Sequence, residues 1–156
     1  MGIRYLALSI DRDDYRRISA GPCSTCGVRA HARDPDYGEP KADYLDLDKS
    51  WRFFQAILNS RDHLPARELV AGDVTHTSQG WISHQGTVAP ERVRDIVADL
   101  ARVTVEELHD HFQLDGAWRD ERSEQDFEYV NSFLPRALSF VEGVAADDRA
   151  IVYYIG

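Results

Sequence analysis

The stretch Ile3-Arg4-Tyr5-Leu6-Ala7-Leu8-Ser9-Ile10 is apolar at both alternating parities, and Ala150-Ile151-Val152-Tyr153-Tyr154-Ile155 near the other end repeats that character. Successive strand side chains point to opposite faces, so a run apolar at both parities suits a strand covered on both sides. Helical periods dominate what lies between. The two runs therefore predict a single α+β domain over residues 1–156, with a small, mostly antiparallel sheet. That sheet includes the N- and C-terminal strands, paired, and packs against several helices.

Moving inward, Asp11 reads as the N-cap of a short helix that ends at Gly21-Pro22. Residues 21–43 are broken by Gly and Pro and hold no lasting period, which predicts a long irregular loop. Tyr44-Leu45-Asp46-Leu47-Asp48-Lys49 then leads into a strong helix, in which Trp51, Phe54 and Leu58 form one stripe and Phe53 with Ile57 a second. Arg67–His76 and Trp81–His84 read as a β-hairpin around a three-residue loop, Ser78-Gln79-Gly80, with the glycine taking the positive φ. Pro90 opens a helix carrying Val93, Ile96, Val97 and Leu100 on one face. Thr104-Val105-Glu106-Glu107 is a capping box whose helix turns Val105, Leu108 and Phe112 inward. Phe127, Val130, Leu134, Ala137 and Val141 mark another helix, which Pro135 is expected to kink or split.

A chain of 156 residues, 43% of them hydrophobic, is long enough for one real core and too short for two full domains. Asp and Glu number 27 against 18 Lys and Arg, a formal net charge of −9 that repels phosphate backbones and anionic membranes. Neither a nucleic-acid nor a membrane partner is expected. The opening residues lack a basic region followed by an apolar run, and no stretch reaches the ~18 apolar residues a transmembrane helix needs. Two cysteines are too few for a disulfide scaffold, so a soluble cytoplasmic protein is expected.

Four stretches together resemble the YfbM-like family of small bacterial proteins, a domain of unknown function. They are Met1-Gly2-Ile3-Arg4-Tyr5, Leu45-Asp46-Leu47-Asp48-Lys49-Ser50-Trp51, Thr87-Val88-Ala89-Pro90-Glu91-Arg92-Val93 with Val103–Leu108 after it, and the apolar C-terminal strand. The L-D-x-D-K-x-W block is the most specific of them. The resemblance implies a stand-alone cytosolic α+β domain and carries over no catalytic residues. The loop with Cys23 and Cys26 departs from the family pattern.

Asp46 and Asp48 have two readings. As paired carboxylates on one face of an extended segment they suit a cation, acid–base work or a partner, with Trp51 and Trp81 as further contact residues. The structural reading is stronger: Asp48 caps the helix beginning near Lys49, Asp46 bonds a neighbouring backbone, and Trp51 fills the core. Cys23-Ser24-Thr25-Cys26-Gly27 has the shape of a zinc knuckle, with His31 and Asp36 following at ligand spacing. A second completion uses the hairpin. With a three-residue loop His76 pairs opposite Ile82, and His84 lies two residues beyond on the same face, ~7–8 Å away. Two thiols without a role, or a disulfide or redox pair, remain alternatives to structural Zn2+. His109 and His111 do not share a helical face, so no two-His metal clamp is expected there, and His63 lies in a polar turn. The acids between Glu106 and Glu128 form a solvated surface that would also dock a basic partner.

Phosphate loops, dinucleotide fingerprints, calcium loops and the Gly-x-Ser-x-Gly elbow are all absent from the sequence. The leading expectation is a non-catalytic protein-binding module, immunity-like or chaperoning, with a structural zinc site. The alternative is a small enzyme or small-molecule-binding protein with a pocket near the 67–84 hairpin, using His76, His84 and Asp46 or Asp48.

Overall fold

The two terminal runs pair with each other, as their composition requires. In the computed structural model, which describes residues 2–20, 44–60, 64–114 and 124–156, β1 (Tyr5–Ile10) and β6 (Ala150–Ile155) are antiparallel neighbours at the centre of a four-stranded sheet. Its order is β2-β1-β6-β5, with β2 at Tyr44–Asp48 and β5 at His84–Val88, every pair antiparallel. Cys23, Cys26, His31, Asp36 and His63 lie outside the described residues, as do Asp115, Asp120 and Glu121 of the acidic run.

One sheet face carries Tyr5, Ala7, Leu45, Leu47, Val88, Ile151, Tyr153 and Ile155 into the main core. Over that face lie α2 (Trp51–Asn59), a 3-10 helix (Pro65–Val70), α3 (Pro90–Leu100), α4 (Val105–Leu114), α5 (Glu124–Asn131) and α6 (Phe133–Ala146). The 3-10 helix packs against both α2 and α3, and α6 packs against α3 and β2. The opposite face has a smaller cluster: Ile10, Ala150 and Val152 pack with Leu8, Tyr154, and Tyr15 and Ile18 of α1 (Arg12–Ala20). Both parities of β1 and β6 are thus covered.

Two of the expected caps are in place. The Asp14 N–H donates to the Asp11 carboxylate at 2.7 Å. Thr104 and Glu107 exchange the two capping-box bonds, each 3.1 Å. Leu108 and Phe112 are buried, but Val105 is exposed because it is the first residue of α4, ahead of the turn that meets the core. The helical period from Phe127 to Val141 is divided at Ser132, with Pro135 in the first turn of α6, where the N–H it lacks has no intrahelical partner anyway.

Three expectations are corrected. Residues 44–48 are a strand, not the approach to a helix: Leu45 and Leu47 alternate into the core, and the helix starts only at Trp51 after Asp48 turns the chain at φ 45°. Arg67–Val70 belongs to the 3-10 helix, opened by Pro65 and tied down where the buried Asp99 carboxylate accepts the Ala66 N–H at 3.0 Å. The hairpin is only β3 (Thr75–Thr77) and β4 (Gly80–Ile82), a two-stranded sheet of its own. Its loop is Ser78-Gln79, because Gly80, at φ 140°, is already paired with Thr77. Among the described residues no helix is long and apolar enough to cross a membrane.

Candidate functional site

The Asp46/Asp48 pair forms the most connected polar cluster that sequence reasoning pointed to. β2 is extended, so both carboxylates emerge on the same side, and Arg4, just before β1, reaches across to them. Its Nε lies 2.9 Å from Asp48 Oδ1 and its Nη2 3.3 Å from Asp46 Oδ2. Asp46 Oδ1 accepts the Asp48 N–H at 2.6 Å, fixing the turn, and the Tyr44 hydroxyl donates to Asp46 Oδ2 at 3.3 Å. From α5, the Tyr129 hydroxyl donates to Asp48 Oδ2 at 2.7 Å. Asp46 therefore bonds a neighbouring backbone as expected. Asp48 does not cap α2, whose N-cap is Ser50 without a side-chain cap bond.

Burial pushes the Tyr129 hydroxyl up to about 12, helped by its bond to Asp48 and the charges of Asp48 and Asp46, while Arg4 pulls it down. It is a neutral donor at physiological pH. Both carboxylates are engaged by Arg4 and by tyrosines, so the cluster works as a clasp holding the N-terminus, β2 and α5 together. Trp51 is 1% exposed beside it, with its indole N–H directed at the Ile3 carbonyl, 3.4 Å away. A side chain so buried reaches no partner, and the contact role for Trp51 is withdrawn in favour of the core role.

A second polar construction was not anticipated. Four successive carbonyls, Leu69 to Gly72, each accept a side-chain hydrogen bond. Tyr5 donates to Leu69 at 2.7 Å and Tyr153 to Ala71 at 2.8 Å, while Gln55 Nε2 reaches Val70 and Gly72 at 2.8 and 2.6 Å. The end of a 3-10 helix leaves carbonyls without backbone partners, and these three side chains satisfy them. Tyr5 and Tyr153 stack at 5.6 Å. Burial raises both hydroxyls, Tyr5 well above its ordinary value and Tyr153 to about 12, so both stay protonated donors. A tyrosine at a core parity of a strand is the sequence signal that was available, since a buried hydroxyl needs a partner.

The described histidines do not gather. His84 lies on the core face of β5, its ring 6.0 Å from that of Tyr153 and pressed on Gly72. Gly72 has φ 90°, and a Cβ there would sit 2.2 Å from His84 Nε2. His76 is exposed on β3 and pairs with Trp81, not Ile82. That one-residue slip reverses its facing relative to the expected register, so His76 and His84 no longer form a diagonal pair. Asp46 is no closer to joining them: β2 and β5 are opposite edges of the sheet, three strand spacings or ~14 Å apart. A pocket built from His76, His84 and Asp46 or Asp48 is not assembled. His109 stands edge-on to Phe127 at 4.8 Å, and His111 Nε2 is 3.1 Å from Ser60 Oγ. Among the described residues no three His, Cys, Asp or Glu side chains are arranged to hold a metal ion.

What does stand out to solvent is the β3–β4 hairpin. All six strand residues are exposed, with Trp81 at 42% and Ile82 at 62%. Glu106, Asp110 and Glu128 of the acidic run are exposed as well, on α4 and α5.

The sequence matches the family model described as a domain of unknown function, DUF1877, over residues 1–154. In structure the chain is similar to the crystal structure of YfbM from Escherichia coli, a protein of unknown function. The TM-score is 0.61 at 16% identity, covering 99% of this chain and 100% of that one. Identity that low speaks for the fold alone. No curated protein matches the chain. The family match takes in both central strands, the Asp46/Asp48 clasp and the capping-box helix, and the chain therefore belongs to the YfbM-like, DUF1877 family of unknown function.

Proposed function

We propose that the chain is a non-catalytic, cytoplasmic protein-binding module, immunity-like or chaperoning in kind, that docks a protein partner through the β3–β4 hairpin. The observation that carries this reading is the exposure of Trp81 and Ile82 on a hairpin with no core of its own. Burying such a side chain against a partner is favourable by ~1.5–3 kcal/mol, and Trp is enriched among residues that dominate interfaces. The net charge of −9 and the exposed acids of α4 and α5 favour a basic partner, drawn in by the field. The tied-up state of Asp46, Asp48, Tyr129, Tyr5 and Tyr153 supports a binding role over a catalytic one, since each is committed to an internal bond.

The test compares wild type with a Trp81→Ser/Ile82→Ser double variant in low-salt pull-downs. A stoichiometric protein retained by wild type and lost from the variant is expected. No stoichiometric protein at all, or equal retention by both, overturns the reading. Structural zinc on Cys23 and Cys26, with His31 and Asp36 as further ligands, is a separate proposal about stability. It rests on the Cys-x2-Cys-Gly spacing and no longer calls on His76 or His84.

A further inference from the structure

The two edges of the four-stranded sheet are built differently. β2 carries Asp46 and Asp48, and its pairing with β1 is interrupted by a register shift at Tyr5/Leu6. Charge and irregularity of that kind discourage another strand from adding on. β5, at the other edge, reads His84-Gln85-Gly86-Thr87-Val88, with no Lys, Asp, Glu or Pro and an unbroken register against β6.

The hydrogen-bonding parity of β5 follows from the far side of β6. Arg4 and Gly156 exchange both backbone bonds, at 3.2 and 3.0 Å, so they are a bonded pair of the β1–β6 ladder. Alternation then turns Tyr154, Val152 and Ala150 towards β1, leaving Ile155, Tyr153 and Ile151 to bond β5. Their partners are His84, Gly86 and Val88. The N–H and C=O of Gln85 and Thr87 therefore point away from the sheet. Among the described residues they have no backbone partner.

We propose that this edge is a self-association surface, on which β5 of a second copy of the chain pairs antiparallel and extends the two sheets into one. A twofold axis at Gly86 matches all five residues of each strand. It sets Gln85 of either copy against Thr87 of the other, which gives four new backbone bonds. Gly86 faces its own equivalent in the close, non-bonded position, where a missing side chain is an advantage. The occupant is a second copy because the strand is self-complementary in this register and brings no like charges face to face, whereas a charged edge would oppose itself across the axis. Five residues a side are less than a stable interface needs, so the dimer is reversible and concentration-dependent. Each copy carries −9, so salt that screens their repulsion strengthens it. Self-pairing goes beyond the partner-binding reading and does not depend on it, since it uses the β5 backbone and not the hairpin side chains.

Sedimentation equilibrium of wild type and Thr87→Pro tests the proposal. Proline at 87 removes an outward N–H without touching the β5–β6 ladder. Wild type is expected to rise towards twice the monomer mass with concentration, with a dissociation constant ~threefold or more lower in 0.5 M than in 0.05 M NaCl. Thr87→Pro is expected to stay monomeric with a wild-type circular dichroism spectrum. If that variant fails to fold, amide exchange in wild type decides. Gln85 and Thr87 are expected to be protected only at high concentration, and Gly86 and Val88 at all concentrations. A wild type that stays monomeric at high salt and high concentration overturns the proposal. So does a dimer that Thr87→Pro or the exchange pattern places elsewhere.

Discussion

Gly86→Ala tests how closely the two polar constructions are locked into the sheet. Gly86 pairs directly with Tyr153, whose ring lies over it, and a Cβ at 86 would fall 2.1 Å from Tyr153 Cζ and 2.2 Å from its hydroxyl oxygen. No flexible chain end can yield there. The ring is 3% exposed, stacks on Tyr5 and bonds the Ala71 carbonyl, so moving it disturbs both contacts. Overpacking of this kind costs ~1–3 kcal/mol, and leaving the carbonyl unpaired another ~1–3 kcal/mol. Loss of glycine's freedom in the unfolded chain offsets ~0.4–1 kcal/mol. The net is a destabilisation of ~1–5 kcal/mol, or ~2–4 °C of melting temperature per kcal/mol at this length. Urea unfolding followed by Trp51 fluorescence reads it, because that indole is buried in the native state. The decisive comparison is the same substitution in a Tyr153→Leu background. With the ring gone, Gly86→Ala is expected to cost less than ~0.5 kcal/mol, a coupling of ~0.5 kcal/mol or more. A near-neutral Gly86→Ala, or an equal cost in both backgrounds, would refute the account of this contact.

Two further outcomes are expected. Tyr153 has a folded-state value of about 12, above its ordinary 10.0, so its contribution to stability is complete below pH 10 and is lost as pH rises towards 12. Tyr153→Phe is expected to flatten the loss of stability between pH 10 and 12 by up to ~1.4 kcal/mol per pH unit, and equal slopes in wild type and variant would contradict it. For zinc, protein purified without chelator is expected to hold about one equivalent, reduced in Cys23→Ser, and less than ~0.1 equivalent in wild type would end that proposal.

Much of the local structure was legible because it depends on neighbours a few residues away. The Asp11 cap, the Thr104/Glu107 box and the Trp51 and Pro90 helices are of this kind. Misreadings came where one pattern served two structures. Tyr44–Asp48 alternates as a strand but runs directly into a helical stripe, and only the need of β1 for a second partner decides between them. The register of the hairpin differs from the expected one by a single residue, because Gly80 at positive φ suits either the end of a three-residue loop or the first position of β4. The slip was enough to reverse His76 and dissolve an imagined His76/His84 site.

By itself the sequence determined the class of fold, since two runs apolar at both parities can be covered only in the middle of a sheet, and it marked Asp46 and Asp48 as a pair. The tertiary structure alone decided what that pair does, because Arg4 and Tyr129 meet it across 42 and 81 residues of chain. It alone left Trp81 exposed. The outward pair on β5, Gln85 and Thr87, likewise emerges only from the ladder. Local periodicity reports which side chains seek a core. Which polar groups are left without partners depends on long-range pairing.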